Sequence, residues 1–248
     1  MSLTLATTRP GEPEIFASLQ GEGPSAGSPS IFIRLSRCNL ACQWCDTAYT
    51  WRFIGDRRPH RHDAAFERLE NQITMLAREA ALRVLAFPQK RLVITGGEPM
   101  LQAGPLASMI EMLKEARPGL HIEIETNGTV APPRALDGLV DQYNVSPKLA
   151  HSGNAPELAL IPERMREWAA NPRAFFKFVV AEEADIAEVR ALQELYWIAP
   201  ERLYVMPEGT ESEALRARSV WLAKAALANG WRLSDRLHIH LYGDTRGT

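Results

Sequence analysis

Short apolar runs rich in β-branched and aromatic residues alternate along the chain with segments whose apolar positions recur at three and four. The first pattern predicts strands and the second amphipathic helices. Strands are expected at 31–35, 91–95, 120–125, 139–145, 174–180 and 202–206. Helices are expected over 101–116, 182–196 and 211–228, with one of about ten residues following Pro162. Between Asp63, a good N-cap, and Phe87, the residues Phe66, Leu69, Ile73, Leu76, Ala77, Ala80 and Val84 keep a helical spacing, which predicts one long helix over 63–87. Residues 1–14 are polar and contain proline, and read as an extended lead-in. His238 and His240 alternate, as on a short strand with one of them facing inward.

Strands alternating with helices imply right-handed crossovers and a parallel sheet, open or partly closed. Its six expected strands are fewer than the eight of a complete barrel. Polar clusters fall just after strands: 38–47, 95–98, 125–127 and 146–148. Parallel packing gathers such clusters on one rim of the sheet. Arg34 is an anomaly inside its apolar strand, because a cation there either faces solvent or meets an anion in a cavity. In Gln20-Gly21-Glu22-Gly23 the glycines permit a tight turn or a close approach to a ligand; a plain surface turn accounts for them as well.

With 46% hydrophobic and 23% charged residues over 248 positions, the chain is an ordinary globular one, best read as a single domain. Its net charge of -2 gives no overall field to recruit nucleic acid. The basic cluster Arg57-Arg58-Pro59-His60-Arg61-His62 reads as a solvated loop. No apolar run reaches membrane-spanning length and the first residues lack a signal-peptide layout, so a cytoplasmic, reducing setting is expected.

All three cysteines, Cys38, Cys42 and Cys45, fall within eight positions. Thiolates so spaced converge on one centre from one loop, and soft sulfur suits an iron–sulfur cluster or zinc. Three ligands leave either an open coordination position or a fourth ligand from elsewhere, such as His60 or His62 in a closed zinc site.

This cysteine spacing, with Trp44 before the last thiol, resembles the cluster loop of the radical S-adenosylmethionine (SAM) superfamily. Thr95-Gly96-Gly97-Glu98-Pro99, Glu125-Thr126-Asn127-Gly128 and Val145-Ser146-Pro147-Lys148 continue the likeness in order and spacing. Leu19-Gln20-Gly21-Glu22-Gly23, Cys45-Asp46-Thr47, Leu237-His238 and Tyr242-Gly243 resemble one family within it, the 7-carboxy-7-deazaguanine synthases. The resemblance implies an α/β fold, a partial (β/α) barrel of about six parallel strands, usually dimeric. It implies a lyase that converts 6-carboxy-5,6,7,8-tetrahydropterin to 7-carboxy-7-deazaguanine and ammonia, on the route to queuosine and other 7-deazapurines. Its cofactors would be a [4Fe–4S] cluster, SAM and magnesium, with a flavodoxin or ferredoxin as electron donor. No nucleic acid or membrane partner is implied.

Carried over by position, Cys38, Cys42 and Cys45 would hold the cluster and Thr47 would meet magnesium. Gly96, Gly97, Glu98 and Pro99 would line the SAM amino group, with Glu125, Asn127, Ser146 and Lys148 around its ribose and carboxylate. Leu19, Gln20, Gly21, Glu22, Arg34, Thr95 and His238 would form the substrate pocket. Arg34 would take the substrate carboxylate, and Glu22 the guanidine-like edge of the pterin. Within the single domain the cluster loop spans 36–50, an insertion 51–62, and a C-terminal segment 231–248 that closes the pocket. Residues 49–62 and 150–162 have no role in this scheme. A glycyl-radical activase, or another small radical SAM enzyme, and a zinc-bearing interaction module are the rival readings.

Overall fold

The computed structural model describes residues 1–248. The chain opens with strands β1 (Ser2–Arg9), β2 (Glu12–Pro13), β3 (Ile15–Leu19) and β4 (Pro29–Leu35). After the cysteine loop come a short helix α1 (Arg68–Asn71), strand β5 (Gln72–Leu76) and helix α2 (Ala77–Leu85). Then follow β6 (Arg91–Gly96), α3 (Ala103–Ala116), β7 (His121–Thr126), β8 (Gln142–Val145), α4 (Pro156–Ala159), α5 (Pro162–Ala170) and β9 (Ala174–Val180). The last elements are α6 (Asp185–Tyr196), β10 (Leu203–Pro207), α7 (Ser212–Asn229), β11 (Arg232–Leu233) and α8 (Leu237–Tyr242).

Strands β4, β6, β7, β8, β9, β10 and β11 lie side by side in that order, every neighbouring pair parallel. The sheet is an open, partial barrel, as the sequence implied, with the two-residue β11 added at its edge. Beyond β4 the sheet continues antiparallel into β1, β2, β3 and β5.

The period-two alternation of the strands divides the residues into two sets. Ile31 and Ile33 of β4, Leu92 and Ile94 of β6, Ile122 and Ile124 of β7, and Phe176 and Phe178 of β9 belong to the apolar core with Leu106, Ile110, Trp168, Val189 and Leu222 of the helices. The opposite set includes Arg34, Thr95, Glu125 and Lys177, and all four line a cavity. Register keeps them in rows: Arg34 lies opposite Thr95, as Ile33 lies opposite Ile94.

Three expectations need correction. Residues 1–14 are not a lead-in: β1 buries Leu3 and Leu5 completely and pairs with β5 over five residues. The polar look of that stretch hides a strand buried from Leu3 to Thr7. The helix expected over 63–87 is broken by β5, since Gln72–Leu76 takes the ladder that β1 offers. Leu69, which the helical spacing placed on the buried stripe, is 90% exposed, and Asp63 pairs with Arg52 instead of capping a helix. His238 and His240 lie on helix α8, not on a strand. No helix is long and apolar enough to cross a membrane.

Candidate active site

The cysteine loop leaves the C-terminal end of β4. Cys38, Cys42 and Cys45 are unpaired, and all three line one cavity of about 410 Å³. A cavity of that volume suits small-molecule ligands. Burial pushes the Cys38 thiol up to about 12 and the Cys45 thiol up to about 11, and it raises Cys42 in the same direction. Metal ions that displace these protons offset the cost of burying three thiolates. Three soft thiols on one loop, all facing one cavity, are a donor set that fits an iron–sulfur cluster.

Strand β6 ends against this loop through backbone contacts alone. Gly97 N donates to Leu35 O at 3.0 Å and Glu98 N to Arg37 O at 2.8 Å. A Cβ on either Gly96 or Gly97 would collide with backbone atoms of Leu35 or Arg37, and Gly96 also has φ +131. The two glycines thus serve the approach of strand to cysteine loop, and both still line the cavity. Glu98 and Pro99, expected beside the SAM amino group, are not in the cavity wall. Glu98 is fully buried, and its carboxylate accepts from Met100 N at 2.9 Å, Thr126 Oγ1 at 2.8 Å and Asn127 N at 2.7 Å. Burial raises its pKa despite these donors. Its carboxylate fastens the ends of β6 and β7 together.

Farther along the rim stand Glu125, Asn127, Ser146 and Lys148, all in the cavity wall. Asn127 donates to Asn39 Oδ1 at 3.0 Å and accepts from Thr129, while Lys148 donates to Ser146 Oγ at 2.8 Å. Thr95 Oγ1 and Gln20 Nε2 both donate to Glu125, at 3.2 and 3.1 Å.

Glu22 is the hub of a charged group beneath the opposite wall. It is ion-paired with Lys177, and Arg236 Nε reaches its other oxygen at 3.0 Å. Arg236 also pairs with Asp46, and His238 Nε2 lies 3.9 Å from Glu22. Burial alone would raise the Glu22 pKa, but Lys177 and Arg236 hold it far below the ordinary carboxylate range. Each of its oxygens takes one protein donor, and a carboxylate has acceptor positions beyond these two. Gln20, likewise, spends its amide on Glu123, Glu125 and Glu22 N. Both residues line the cavity yet act first as parts of its frame.

Arg34 is different. Its Nε donates to Glu14 Oε1 at 2.7 Å, and Tyr49 donates to the same carboxylate at 2.9 Å. No protein group takes the terminal nitrogens of Arg34, and the side chain lines the cavity. Glu14 and Tyr49 therefore brace a guanidinium whose open edge is available to an anion. Leu19, Gly21, Thr47 and His238 complete the wall, with Gly243, Asp244, Thr245, Arg246 and Thr248 of the C-terminal segment. Arg246 stacks 3.5 Å over the Tyr49 ring and donates to Asn71 Oδ1 at 2.8 Å.

The Radical SAM superfamily model matches residues 32–175. The chain is 36% identical to the 7-carboxy-7-deazaguanine synthase of Pyrobaculum aerophilum over 244 residues, covering 98% of this chain and 99% of that one. It is 32% identical to the enzyme of the same name from Escherichia coli K12, over 92% of this chain and 96% of that one. The chain belongs to the 7-carboxy-7-deazaguanine synthase family. The crystal structure of QueE from Escherichia coli superposes with a TM-score of 0.64 at 26% identity, covering 95% of each chain.

As a radical SAM enzyme of this family, the protein uses a [4Fe–4S] cluster and SAM. The residues that sequence reasoning passed over are Glu14, Asp46, Tyr49, Lys177, Arg236 and Arg246. Lys177 carried the same signal as Arg34, a cation in the middle of an apolar strand. Arg236 carried none, because only the fold brings it to Glu22 and Asp46.

Proposed function

We propose that this enzyme converts 6-carboxy-5,6,7,8-tetrahydropterin to 7-carboxy-7-deazaguanine with release of ammonia. The observation that carries the reading is the shared cavity: three free thiols and a braced Arg34, whose terminal nitrogens no protein group takes, line the same space. When bound and reduced, the cluster and SAM together supply a 5′-deoxyadenosyl radical able to take hydrogen from C6 of the pterin. Loss of one ammonia accounts for the whole difference between substrate and product, so the conversion is redox-neutral and SAM is regenerated.

The chain's own task is to hold and enclose. Cys38, Cys42 and Cys45 ligate the cluster through their thiolates. Gly96, Gly97, Asn127, Ser146 and Lys148 bound the space for SAM, and Glu98 and Pro99 support that wall from behind. Arg34 pairs with the substrate carboxylate, while Thr95 and Glu125 supply a donor and an acceptor to the ring. His238 stays neutral near pH 7, because burial lowers its pKa, and its imidazole can donate or accept at the pterin. Leu19, Gln20, Gly21 and Glu22 give that wall its shape. Thr47 Oγ1 would join magnesium with the substrate carboxylate and water, a set of oxygen ligands that a hard cation favours. The C-terminal segment 231–248 excludes water from the reacting atoms within a single-domain enzyme. A flavodoxin- or ferredoxin-type donor, a homodimer and a cytoplasmic setting belong to the same reading and are supported by the family resemblance.

Anaerobic reconstituted enzyme is incubated with SAM, magnesium, reductant and the pterin, and the product is weighed by mass spectrometry. SAM-dependent loss of ammonia's mass from the pterin is the expected result. Cleavage of SAM with the pterin intact would overturn the reaction assigned here.

A further inference from the structure

Apart from Tyr49, which helps to brace Arg34 through Glu14, residues 49–62 and 150–162 take no part in the chemistry described above, yet both segments close around the cysteine loop. Gln43 N donates to Ser152 O at 2.9 Å, and Arg61 N to Gln43 O at 2.9 Å. Ala41 N donates to Asn154 Oδ1 at 2.9 Å, and His60 Nε2 lies 2.8 Å from Cys45 O.

Each segment also aims one neutral N–H at a thiol. Trp51 Nε1 donates to Cys45 Sγ at 3.4 Å from a buried indole. Asn154 Nδ2 donates to Cys42 Sγ at 3.3 Å, sharing its amide with Ser152 Oγ at 3.1 Å. The remaining sulfur contacts are longer: Thr47 Oγ1 stands 3.6 Å from Cys45, and Asn127 Nδ2 stands 3.9 Å from Cys38. The Arg58 guanidinium lies 4.6 Å over the Trp51 ring, which fixes the indole plane.

We propose that Trp51 and Asn154 set the reduction potential of the cluster, and that the two segments fold around the loop to deliver them. A neutral N–H withdraws charge from a ligating thiolate and is attracted more strongly when the cluster gains an electron. Each bond therefore favours the reduced state and makes electron acceptance easier. Asn154 lies outside the cavity wall, and Trp51, which does line the cavity, is not among the groups assigned to the pterin, so the effect is assigned to electron entry. The inference rests on the cluster reading of the three cysteines.

The test is an EPR-monitored redox titration of reconstituted wild type, Trp51→Phe, Asn154→Leu and the double variant, with iron quantified in each. Phenylalanine keeps the ring without its N–H; leucine keeps the size and the neutrality of the side chain and removes the donor. At fixed solution potential, each substitution should lower the ratio of reduced to oxidised cluster about three- to tenfold, tenfold being about 59 mV for one electron. The double variant should fall further. Trp197→Phe, at a residue 90% exposed, should not move the potential. Unchanged potentials at full iron content would overturn the proposal. If one variant fails to hold iron, the other decides. If neither does, wild type carrying ¹⁵N-labelled tryptophan decides, since absence of a ¹⁵N coupling to the reduced cluster would also overturn it. A wild type that takes up no iron would instead sink the cluster reading itself.

Discussion

Gly21 lies so close to His238 that a methyl group built on it would collide with the imidazole Nδ1 and press on the backbone N at 3.0 Å. Gly21 O also accepts from Leu237 N at 3.0 Å, so this contact seats the start of α8. The glycine is needed for space and not for an unusual φ. Gly21→Ala should therefore shift His238 and lower kcat/KM about 100-fold, the cost of a misplacement near 1 Å at a reacting centre. Steady-state kinetics at matched iron content checks it, and a far-UV spectrum like wild type shows that the sheet is intact.

Arg34 is braced by Glu14 so that a fork of nitrogens faces the cavity. Lysine would offer a single ammonium in place of that fork. Arg34→Lys should raise KM for the pterin about 30-fold, matching the loss of one charge-assisted bond worth about 2 kcal/mol. Cleavage of SAM in the absence of pterin should stay near wild type. Equal losses in both assays would refute the role in carboxylate recognition.

The cysteine loop is tied to the body by Gln43 N, Ala41 N and Glu98 N, none of which needs a metal. Its neighbours pack on a core of 41 residues with no metal ligand in it. Iron removal by anaerobic chelation should leave the far-UV circular dichroism unchanged while Tm drops by several degrees, the effect of losing a ligand bound only by the folded state. Collapse to an unfolded chain, as in a zinc knuckle, would contradict this.

Lys177 and Arg236 hold Glu22 ionised, so its folded pKa lies below its unfolded value of about 4.3. That pairing stabilises the fold fully above the unfolded value, and the contribution is lost as pH falls toward the folded pKa. Lys177→Met should cost about 3 kcal/mol at pH 7, by leaving a buried carboxylate with one partner fewer. The gap between wild type and variant should narrow as pH drops from about 4.3 toward 3. Urea unfolding of iron-free protein at pH 7 and pH 3 measures both.

Most of the sheet was legible because buried strands and amphipathic helices differ in period. Residues 174–180 were read to their exact ends, since Ala174 to Val180 is an apolar run broken only by Lys177. Helix α3 was found from Leu101 to Ala116, its first turn being 3-10 in form. Residues 72–76 were misread because Ile73 and Leu76 satisfy a helical period by chance, while β1, the partner that makes them a strand, lies some seventy residues away. The same limit governs the site. Cysteines, glycines and rim polar residues sit in local motifs and could be named. The ties from Glu22 to Lys177 and from Arg236 to Asp46 join residues 155 and 190 positions apart. Glu98 was carried over as lining the SAM amino group, and the ties from Met100, Thr126 and Asn127 to its carboxylate show only in the fold.

Arg236, His238 and Arg246 complete one wall of the cavity, and all three follow the last parallel strand in the chain. A nascent polypeptide emerging N-terminus first can assemble the sheet and cysteine loop before that wall is synthesised. Termination just after β11 would leave a molecule with all three cysteines and without Arg236, His238 and Arg246 in the cavity wall. The order of translation thus places the sealing of the chamber last, after the parts that generate and receive the radical are in position.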